Sequence, residues 1–518
     1  MEKPLVLTFD VGTQSARAVM VDREGNIVFK AQKTYDKPYY SKNPDWAEQN
    51  ADFYWQTICW CSNELKEKAG TRWRDIVAVT VTTIRDTTLC IDENGNPLRD
   101  VIVWLDKRKA NCSKKISGVK MALFKAVNMT DTVELQRKTS ACNWIIENEP
   151  EIWAKTKHFV FLSCYLNFKL CGNIADSNAG TIGHIPFDNK NRSWMKKSDL
   201  SRDIFEMEDD KLYTLVKPES ELGTITKEAA KATGLKAGTP LIATGSDKGC
   251  ETLGLSVLDE TKAAISFGTA ATVQLTTKKY VEPLPFLPAY AAVVDGYFNP
   301  EIQVYRGYWL VSWFKREFAE KEVKQAAKLG VSAESLLDKR LKEIPAGCDG
   351  LVMQPYFTPG VSMPNARGAI IGFSDVHTRI HLYRAIIEGI NFSLYEGLKN
   401  LEKRANTTVK ELYLGGGGSR SAEICQITAD MFGIPVVRTQ THEACGIGSA
   451  MVAFRALGYF KDYNEAIESM VHERDRFTPD MEQHKIYREI YENVFTKIFD
   501  KLLPLYKITS HMSNKKGE

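Results

Sequence analysis

Two short turns built from glycine and hydroxyl side chains carry the first recognisable chemistry. One interrupts two apolar runs in Leu5-Val6-Leu7-Thr8-Phe9-Asp10-Val11-Gly12-Thr13-Gln14-Ser15-Ala16-Arg17-Ala18-Val19-Met20-Val21. The other does so in Ala263-Ala264-Ile265-Ser266-Phe267-Gly268-Thr269-Ala270-Ala271-Thr272-Val273-Gln274-Leu275. Each reads as strand, tight turn, strand. The backbone N–H groups of such a turn can point into one concavity, which suits an anion such as phosphate. Gly12 lets the backbone turn closely, Thr13 and Ser15 add hydroxyl donors, and Arg17 adds positive charge. Asp10 would repel a bare phosphate, so it makes sense with a cation between them, a Mg²⁺ ion held partly through water. An ordinary hairpin with an acid at its turn is the competing reading. Two such turns, far apart in sequence, suggest two halves facing one nucleotide.

Three further clusters could carry chemistry. In Ala243-Thr244-Gly245-Ser246-Asp247-Lys248-Gly249 an acid follows a strand and precedes a helix, which places it at the crevice of an α/β sheet. A carboxylate there can take the proton of an attacking hydroxyl, or it can simply cap the helix. Gly415-Gly416-Gly417-Gly418-Ser419 admits the close approach of a flat base or a ribose. It is neither a Walker loop nor a GxGxxG fingerprint, and a linker is the alternative. Thr83-Ile84-Arg85-Asp86-Thr87, with Trp104, Asp106 and Arg108, alternates donors and acceptors as a polyol demands. Trp104 could lie against the C–H face of a sugar. A structural salt bridge among these residues explains the same pattern.

The elements that must position these groups are legible in outline. Residues 5–36 read as three strands and residues 50–69 as a helix. Residues 76–83 read as a strand, 87–99 as a hairpin around Glu93-Asn94-Gly95-Asn96, and Val101-Ile102-Val103-Trp104 as a buried strand. Helical and turn segments alternate through residues 109–222. A strand over 241–245 delivers Asp247, and a helix over 249–253 follows. After the second hairpin the sequence reads as strand-like and loop-rich to about residue 372. A long amphipathic helix covers 381–399, a strand 412–414, and helices 421–432 and 446–457. Strand-loop-helix units in both halves argue for an α/β protein with two similar cores. No short repeat occurs, and the two glycine hairpins are the only internal echo.

Composition sets the class. A chain of 518 residues exceeds one ordinary core, so two large domains are expected. The 68 basic residues against 65 acidic give no electrostatic case for nucleic acid or an anionic membrane. No segment approaches the ~20 apolar residues that span a bilayer. Asp10 breaks the first apolar run, so no signal peptide is expected, and the chain is placed in the cytoplasm. The 11 cysteines include no CxxC pair, and their odd number favours free thiols, most of them in the core. The basic stretch over 507–516 reads as a frayed, solvated end.

Taken in order, these segments resemble the FGGY carbohydrate kinases, the group that includes glycerol kinases and xylulokinases. The resemblance runs from about Leu5 to Gly458. It rests on Phe9-Asp10-Val11-Gly12-Thr13-Gln14-Ser15-Ala16-Arg17, Pro44-Asp45-Trp46-Ala47-Glu48-Gln49, Trp104-Leu105-Asp106-Lys107-Arg108, Gly245-Ser246-Asp247 and Phe267-Gly268-Thr269. It continues through Ala366-Arg367-Gly368, Arg384-Ala385-Ile386-Ile387-Glu388-Gly389, Gly415-Gly416-Gly417-Gly418-Ser419-Arg420-Ser421 and Glu443-Ala444-Cys445-Gly446-Ile447-Gly448-Ser449-Ala450. The resemblance implies two actin-like (ribonuclease H-like) ATPase domains with a central cleft, over residues 1–248 and 249–506, followed by a flexible tail over 507–518. It implies ATP bound by Gly12, Thr13, Gln14, Ser15, Arg17, Gly268, Thr269, Gly415, Gly416, Gly417, Gly418 and Ser419. Asp10 and Asp247 would face Mg²⁺, and Asp247 would be the catalytic base. Arg85, Asp86, Trp104, Asp106, Asp247 and Lys248 would meet the acceptor.

The expected activity is ATP-dependent phosphorylation of a small sugar or polyol. A glycerol kinase, an autoinducer-type kinase and a non-catalytic ATP- and sugar-binding regulator are the alternatives. The acceptor loop departs from named members: xylulokinases carry Met-His where this chain has Arg85-Asp86, and glycerol kinases carry Arg-Glu. Lys248 replaces the Gln that usually follows the catalytic Asp of glycerol kinases. Tyr356-Phe357-Thr358-Pro359-Gly360 lacks the Gly-Glu-Arg often seen in pentulose kinases. These departures point away from plain glycerol, toward a larger polyol, a ketose or a hydroxylated signalling molecule. Dimers are common among relatives, yet no stretch here forces one.

Overall fold

In the computed structural model, which describes residues 3–113, 115–126, 129–285, 287–358, 363 and 365–514, the first apolar run becomes a strand buried along its whole length. Residues 359–360 and 515–518 lie outside the described residues. The run can be apolar on both faces because it is central: β1 (Leu5–Val11) pairs with β2 (Ser15–Val21) on one side and β4 (Ile76–Thr83) on the other. With β3 (Ile27–Thr34), β5 (Glu221–Thr224) and β6 (Pro240–Ile242), they form a sheet of order β5-β6-β4-β1-β2-β3. The hairpin strands run antiparallel, whereas β1, β4 and β6 run parallel, with Asp10 opposite Thr82 and Leu241 opposite Val79.

A second sheet repeats this plan. It contains β7 (Lys262–Phe267), β8 (Ala271–Gln274), β9 (Glu301–Val304), β10 (Glu411–Gly416), β11 (Val436–Thr439) and β12 (Glu473–Phe477), in the order β9-β8-β7-β10-β11-β12. Here β7, β10 and β11 run parallel, and the outer pairings are antiparallel. Read from β3 to β5 and from β9 to β12, both sheets show antiparallel, antiparallel, parallel, parallel, antiparallel pairing. The echo seen in the two glycine hairpins therefore extends to the whole sheet plan.

The chain divides into two compact units. One comprises Met1–Gly254, Tyr290–Tyr297 and Ala444–Val471; the other comprises Leu255–Ala289, Phe298–Glu443 and His472–Glu518. The division expected at residue 248 lies close to the end of the first unit's leading segment at Gly254. The Ala444–Ala456 helix returns to the first unit because it packs on β1 and β4 and against the Asp247–Gly254 helix. The two helices touch at glycine: a Cβ on Gly254 would meet Ala444 O at 1.9 Å, and one on Gly448 would meet Cys250 O at 1.9 Å.

Local chemistry explains most element boundaries. Asn50 accepts from Asp52 N–H at 2.8 Å and opens the Ala51–Ala69 helix. Thr378 and His381 form a reciprocal cap on the Arg379–Ala405 helix, which ends at Asn406 in the left-handed region (φ 53°). The expected 87–99 hairpin is a turn closed by the single bridge Ile91–Pro97. Past the bridge Leu98 N–H donates to Cys90 O at 2.9 Å, and Thr88–Ile91 also pairs along its length with His158–Phe161. The stretch read as strand-like and loop-rich contains the helices Trp309–Phe318, Glu320–Leu329 and Ala333–Asp338. In Trp309–Phe318 the aromatic residues Trp309, Trp313, Phe314 and Phe318 imitate strand composition. Expected to fray from residue 507, the terminus instead continues the Thr496–Asn514 helix. Among the described residues no helix is long and apolar enough to cross a membrane.

Candidate active site

Three parallel strands of the first unit end side by side, and each delivers chemistry from its C-terminal end. β1 ends in Asp10 and the turn over residues 12–15, β4 runs into Arg85 and Asp86, and β6 leads to Asp247. The ends are tied together: Ile84 N–H donates to Val11 O at 3.0 Å, and the Thr244 hydroxyl donates to Val81 O at 3.1 Å. The carboxyl ends of parallel strands are where α/β sheets bind ligands.

Asp247 opens its helix, and its Oδ1 accepts from Lys248 N–H at 2.8 Å. The cap of this helix is Ser246, whose Oγ accepts from Gly249 N–H at 3.1 Å, while Asp247 meets Arg85, whose Nε lies 4.0 Å from Oδ1. Burial pushes its carboxyl above the ordinary aspartate value, an effect opposed by Arg85 and Lys248. The Arg85 guanidinium also lies over the Tyr290 ring, 5.2 Å from its centre. Both Asp10 and Asp247 act on the thiol of Cys445, which is raised by its hydrogen bond with Cys250, by burial and by these carboxylates.

Asp86 adopts φ 50° and is held by His184. One carboxylate oxygen accepts from the His184 backbone N–H at 2.9 Å, and the other lies 2.6 Å from Nδ1. Burial opposes ionisation of Asp86, yet the charge and hydrogen bonds of His184 hold its carboxyl below the usual value. In turn Asp86 raises the imidazole, against burial.

The hairpin over residues 12–15 is closed by Gly12 N–H donating to Ser15 O at 2.9 Å. Arg17, opposite Asp10 in the ladder, places Nε 3.2 Å from its carboxylate. Ser15 Oγ accepts from Gln32 at 3.1 Å, and Gln14 O accepts from Tyr35 N–H at 2.9 Å. Trp104 donates its indole N–H to Thr13 Oγ1 at 2.9 Å, joining a residue read as sugar-facing to the turn read as phosphate-facing.

Two residues expected at the acceptor are engaged elsewhere. Asp106 is filled by Ala47 N–H at 2.6 Å and by Arg108 at 2.7 and 2.8 Å. Arg108 also reaches Glu48 at 3.0 Å and lies over Trp46 at 4.0 Å. A charge this buried needs such partners, so the competing salt-bridge reading holds for Asp106 and Arg108. Lys248 pairs along its own helix with Glu251 at 2.7 Å.

The second unit brings the other two glycine segments together. β7 and β10 run parallel with Ser266 opposite Gly415 and Phe267 opposite Gly416. The Gly268-Thr269 turn and the tetraglycine run therefore leave adjacent strand ends. Residues 415–419 are no linker: they finish β10 and wind into the 3₁₀ turn Gly417–Arg420. Gly416 has φ 75° and no room for a Cβ, which would fall 2.7 Å from the Phe267 backbone. A Cβ on Gly418 would strike the Tyr308 ring at 2.3 Å, whereas one on Gly417 would meet only Phe267 O, at 4.0 Å. Ser419 donates to Gly416 O at 2.8 Å, and Arg438 clamps Ser419 O at 3.0 Å and Arg420 O at 2.9 Å. Tyr308 N–H donates to Gly268 O at 3.0 Å, and Trp309 N–H donates to Thr269 O at 3.2 Å.

Sequence reasoning passed over Gly183, His184, Tyr290 and Cys445. Only Cys445 lay inside a quoted motif; the others join the strand ends through long loops with no local signature. For a cation, the described residues contain no cluster of three or more His, Cys, Asp or Glu. Asp10, 7% exposed and paired with Arg17, is a single carboxylate at a strand end. Such a set fits an ion carried on phosphate oxygens and touched by one or two carboxylates.

Comparison with known proteins agrees across the chain. Residues 5–254 match the N-terminal domain, and residues 263–457 the C-terminal domain, of the FGGY family of carbohydrate kinases. An uncharacterized sugar kinase of Escherichia coli (strain K12) is 28% identical over 496 residues, covering 96% of this chain and 93% of that protein. A xylulose kinase of Staphylococcus epidermidis (strain RP62A) is 28% identical over 509 residues, covering 96% and 97%. Among solved structures, a gluconate kinase from Lactobacillus acidophilus superposes with a TM-score of 0.81 at 20% identity, covering 98% of this chain and 100% of that one. That likeness supports the two-domain α/β fold.

Proposed function

Because the chain belongs to the FGGY family of carbohydrate kinases, we propose that it transfers the γ-phosphoryl group of ATP to one hydroxyl of a small sugar or polyol, with Asp247 as general base. The observation that carries this reading is the meeting of Asp247 with Arg85 at the parallel strand ends of the first unit. The carboxylate takes the acceptor proton as the acceptor oxygen forms its bond to phosphorus. The bond from phosphorus to the bridging oxygen of ADP breaks, and ADP leaves with the electron pair. A base whose pKa is lifted by burial takes that proton more readily than an ordinary aspartate, and Arg85 and Lys248 oppose the lift.

Arg85, Asp86 and the half-exposed Trp104 are the acceptor contacts in this reading; Asp106 serves the fold. Nucleotide contacts come from the backbone of residues 12–15, the Gly268-Thr269 turn and residues 415–419. Gly417, where a Cβ would meet only Phe267 O at 4.0 Å, is a position in that run with room for close approach by adenosine. Asp10, with Asp247 nearby, would hold Mg²⁺, which supplies charge neutralisation on the phosphates when bound.

The test is ADP release, coupled to a spectrophotometric readout, against pentuloses, hexuloses, D-gluconate, pentitols, erythritol and glycerol. The expected outcome is ADP release dependent on one acceptor class. Acceptors named for relatives, D-xylulose and D-gluconate, are the first to try. Tight ATP binding with no product across the panel would refute the kinase reading and favour a regulator.

A further inference from the structure

We propose that His184 is a positioning residue for acceptor binding, holding Asp86 through both of its carboxylate oxygens. The inference rests on the acceptor reading of the first unit's strand ends and adds a residue to it. Oδ1 of Asp86 accepts the His184 backbone N–H at 2.9 Å, and Oδ2 faces Nδ1 at 2.6 Å. The second ring nitrogen, Nε2, lies 3.3 Å from Thr139 Oγ1. The Thr139 hydroxyl also reaches Leu135 O at 2.9 Å. Nδ1, which faces a carboxylate that has no proton to give, is therefore the protonated nitrogen that donates to Asp86. Asp86 is the charged group that faces the ring, and Arg85 acts on the Asp86 carboxylate from the adjacent position.

Two backbone features show that the hold is built in. Asp86 is kept at φ 50°, a conformation that non-glycine residues seldom adopt. Gly183 has φ 155°, and a Cβ there would fall 2.3 Å from Asp86 Oδ1. Glycine at 183 thus lets the backbone N–H of His184 come close enough to donate. The pair is not sealed off: the side chains of His184 and Asp86 retain 37% and 30% of their exposure. Each carboxylate oxygen has a further lone pair, and the hold fixes where those lone pairs point. Asp86 is in this way anchored beside Arg85.

The experiment compares His184→Leu with His184→Asn, on whichever panel member the wild type phosphorylates. Leucine removes the ring donor. Asparagine keeps an amide N–H close to the place of Nδ1. Losing one hydrogen bond between charged groups should raise the acceptor KM by roughly tenfold or more, leaving kcat and the ATP KM nearly unchanged. His184→Asn should recover most of the acceptor affinity. An unchanged acceptor KM in His184→Leu overturns the proposal, as does equal loss in both variants, which would mark a packing role only. A second measurement needs no acceptor: ¹⁵N NMR of histidine-labelled protein at neutral pH, with the His184 signal identified by its loss in His184→Asn. A protonated Nδ1 in the wild type whose signal changes in Asp86→Asn supports the hold; an unprotonated Nδ1 in the wild type overturns it. Absence of ADP release with every acceptor, alongside a protonated Nδ1, counts against the kinase reading and not against the Asp86–His184 pair.

Discussion

Asp247→Asn is the substitution on which the proposed chemistry turns. Asparagine has the same shape, and its Oδ1 can still accept the Lys248 N–H that opens the helix, so the fold should keep its local geometry. What it loses is the ability to take a proton. General-base removal costs about 10²–10⁴ in turnover, or about 3–5 kcal/mol of barrier. The neighbouring charge sets a second expectation. With Arg85 4.0 Å away, full unit charges at an effective dielectric near 20 attract by about 4 kcal/mol. Solvent reduces this, because the Asp247 side chain is 26% exposed. Removing the charge in Arg85→Gln should still move the Asp247 pKa upward. The sign follows from the chemistry: the working form is the carboxylate, so activity falls as pH drops through its pKa. Without Arg85 the acid limb of kcat/KM should move to higher pH. Coupled ADP-release kinetics across a pH series, for wild type and both variants, measure both quantities. Asp247→Asn turning over within tenfold of wild type would refute the base assignment. An acid limb moving downward in Arg85→Gln would refute the electrostatic argument.

Trp104→Phe keeps an aromatic face and removes the donor to Thr13, so it should cost about 1 kcal/mol and raise the ATP KM several-fold in steady-state kinetics. Gly416→Ala combines an unfavourable φ of 75° with contact on the Phe267 backbone, and should lower stability by about 1–3 kcal/mol in denaturant unfolding. Chelation of divalent cations should abolish ADP release, and Asp10→Asn should raise the Mg²⁺ concentration needed to restore it; an unchanged Mg²⁺ requirement would remove Asp10 from that role.

The strands that carry chemistry were legible because their signals are local. Residues 5–21 alternate apolar runs with a glycine turn, and Ile76–Thr83 is a β-branched run; both became strands as read. Asp247 and the tetraglycine run were also placed by local punctuation. The contacts that hold the other site residues depend on positions distant in sequence. Nothing near Asp86 announces a histidine 98 positions later, and nothing in Trp104 announces Thr13, 91 positions earlier. Asp106 looked like a ligand because a buried ion pair and a polyol site use the same residue types. Its burial with Arg108 and Glu48 separates the two cases, and burial is a property of the folded chain.

The return of the Ala444–Ala456 helix constrains how this protein can be divided. A gene fragment ending at Gly254 would make a sheet whose central strand lacks one of its covers, with the glycine notch at Gly254 open to water. Such a fragment should be insoluble when expressed alone and recoverable only with the complementary piece. Evolution by swapping front halves between relatives meets the same obstacle, since each new front must accept an old helix from the far end of the gene.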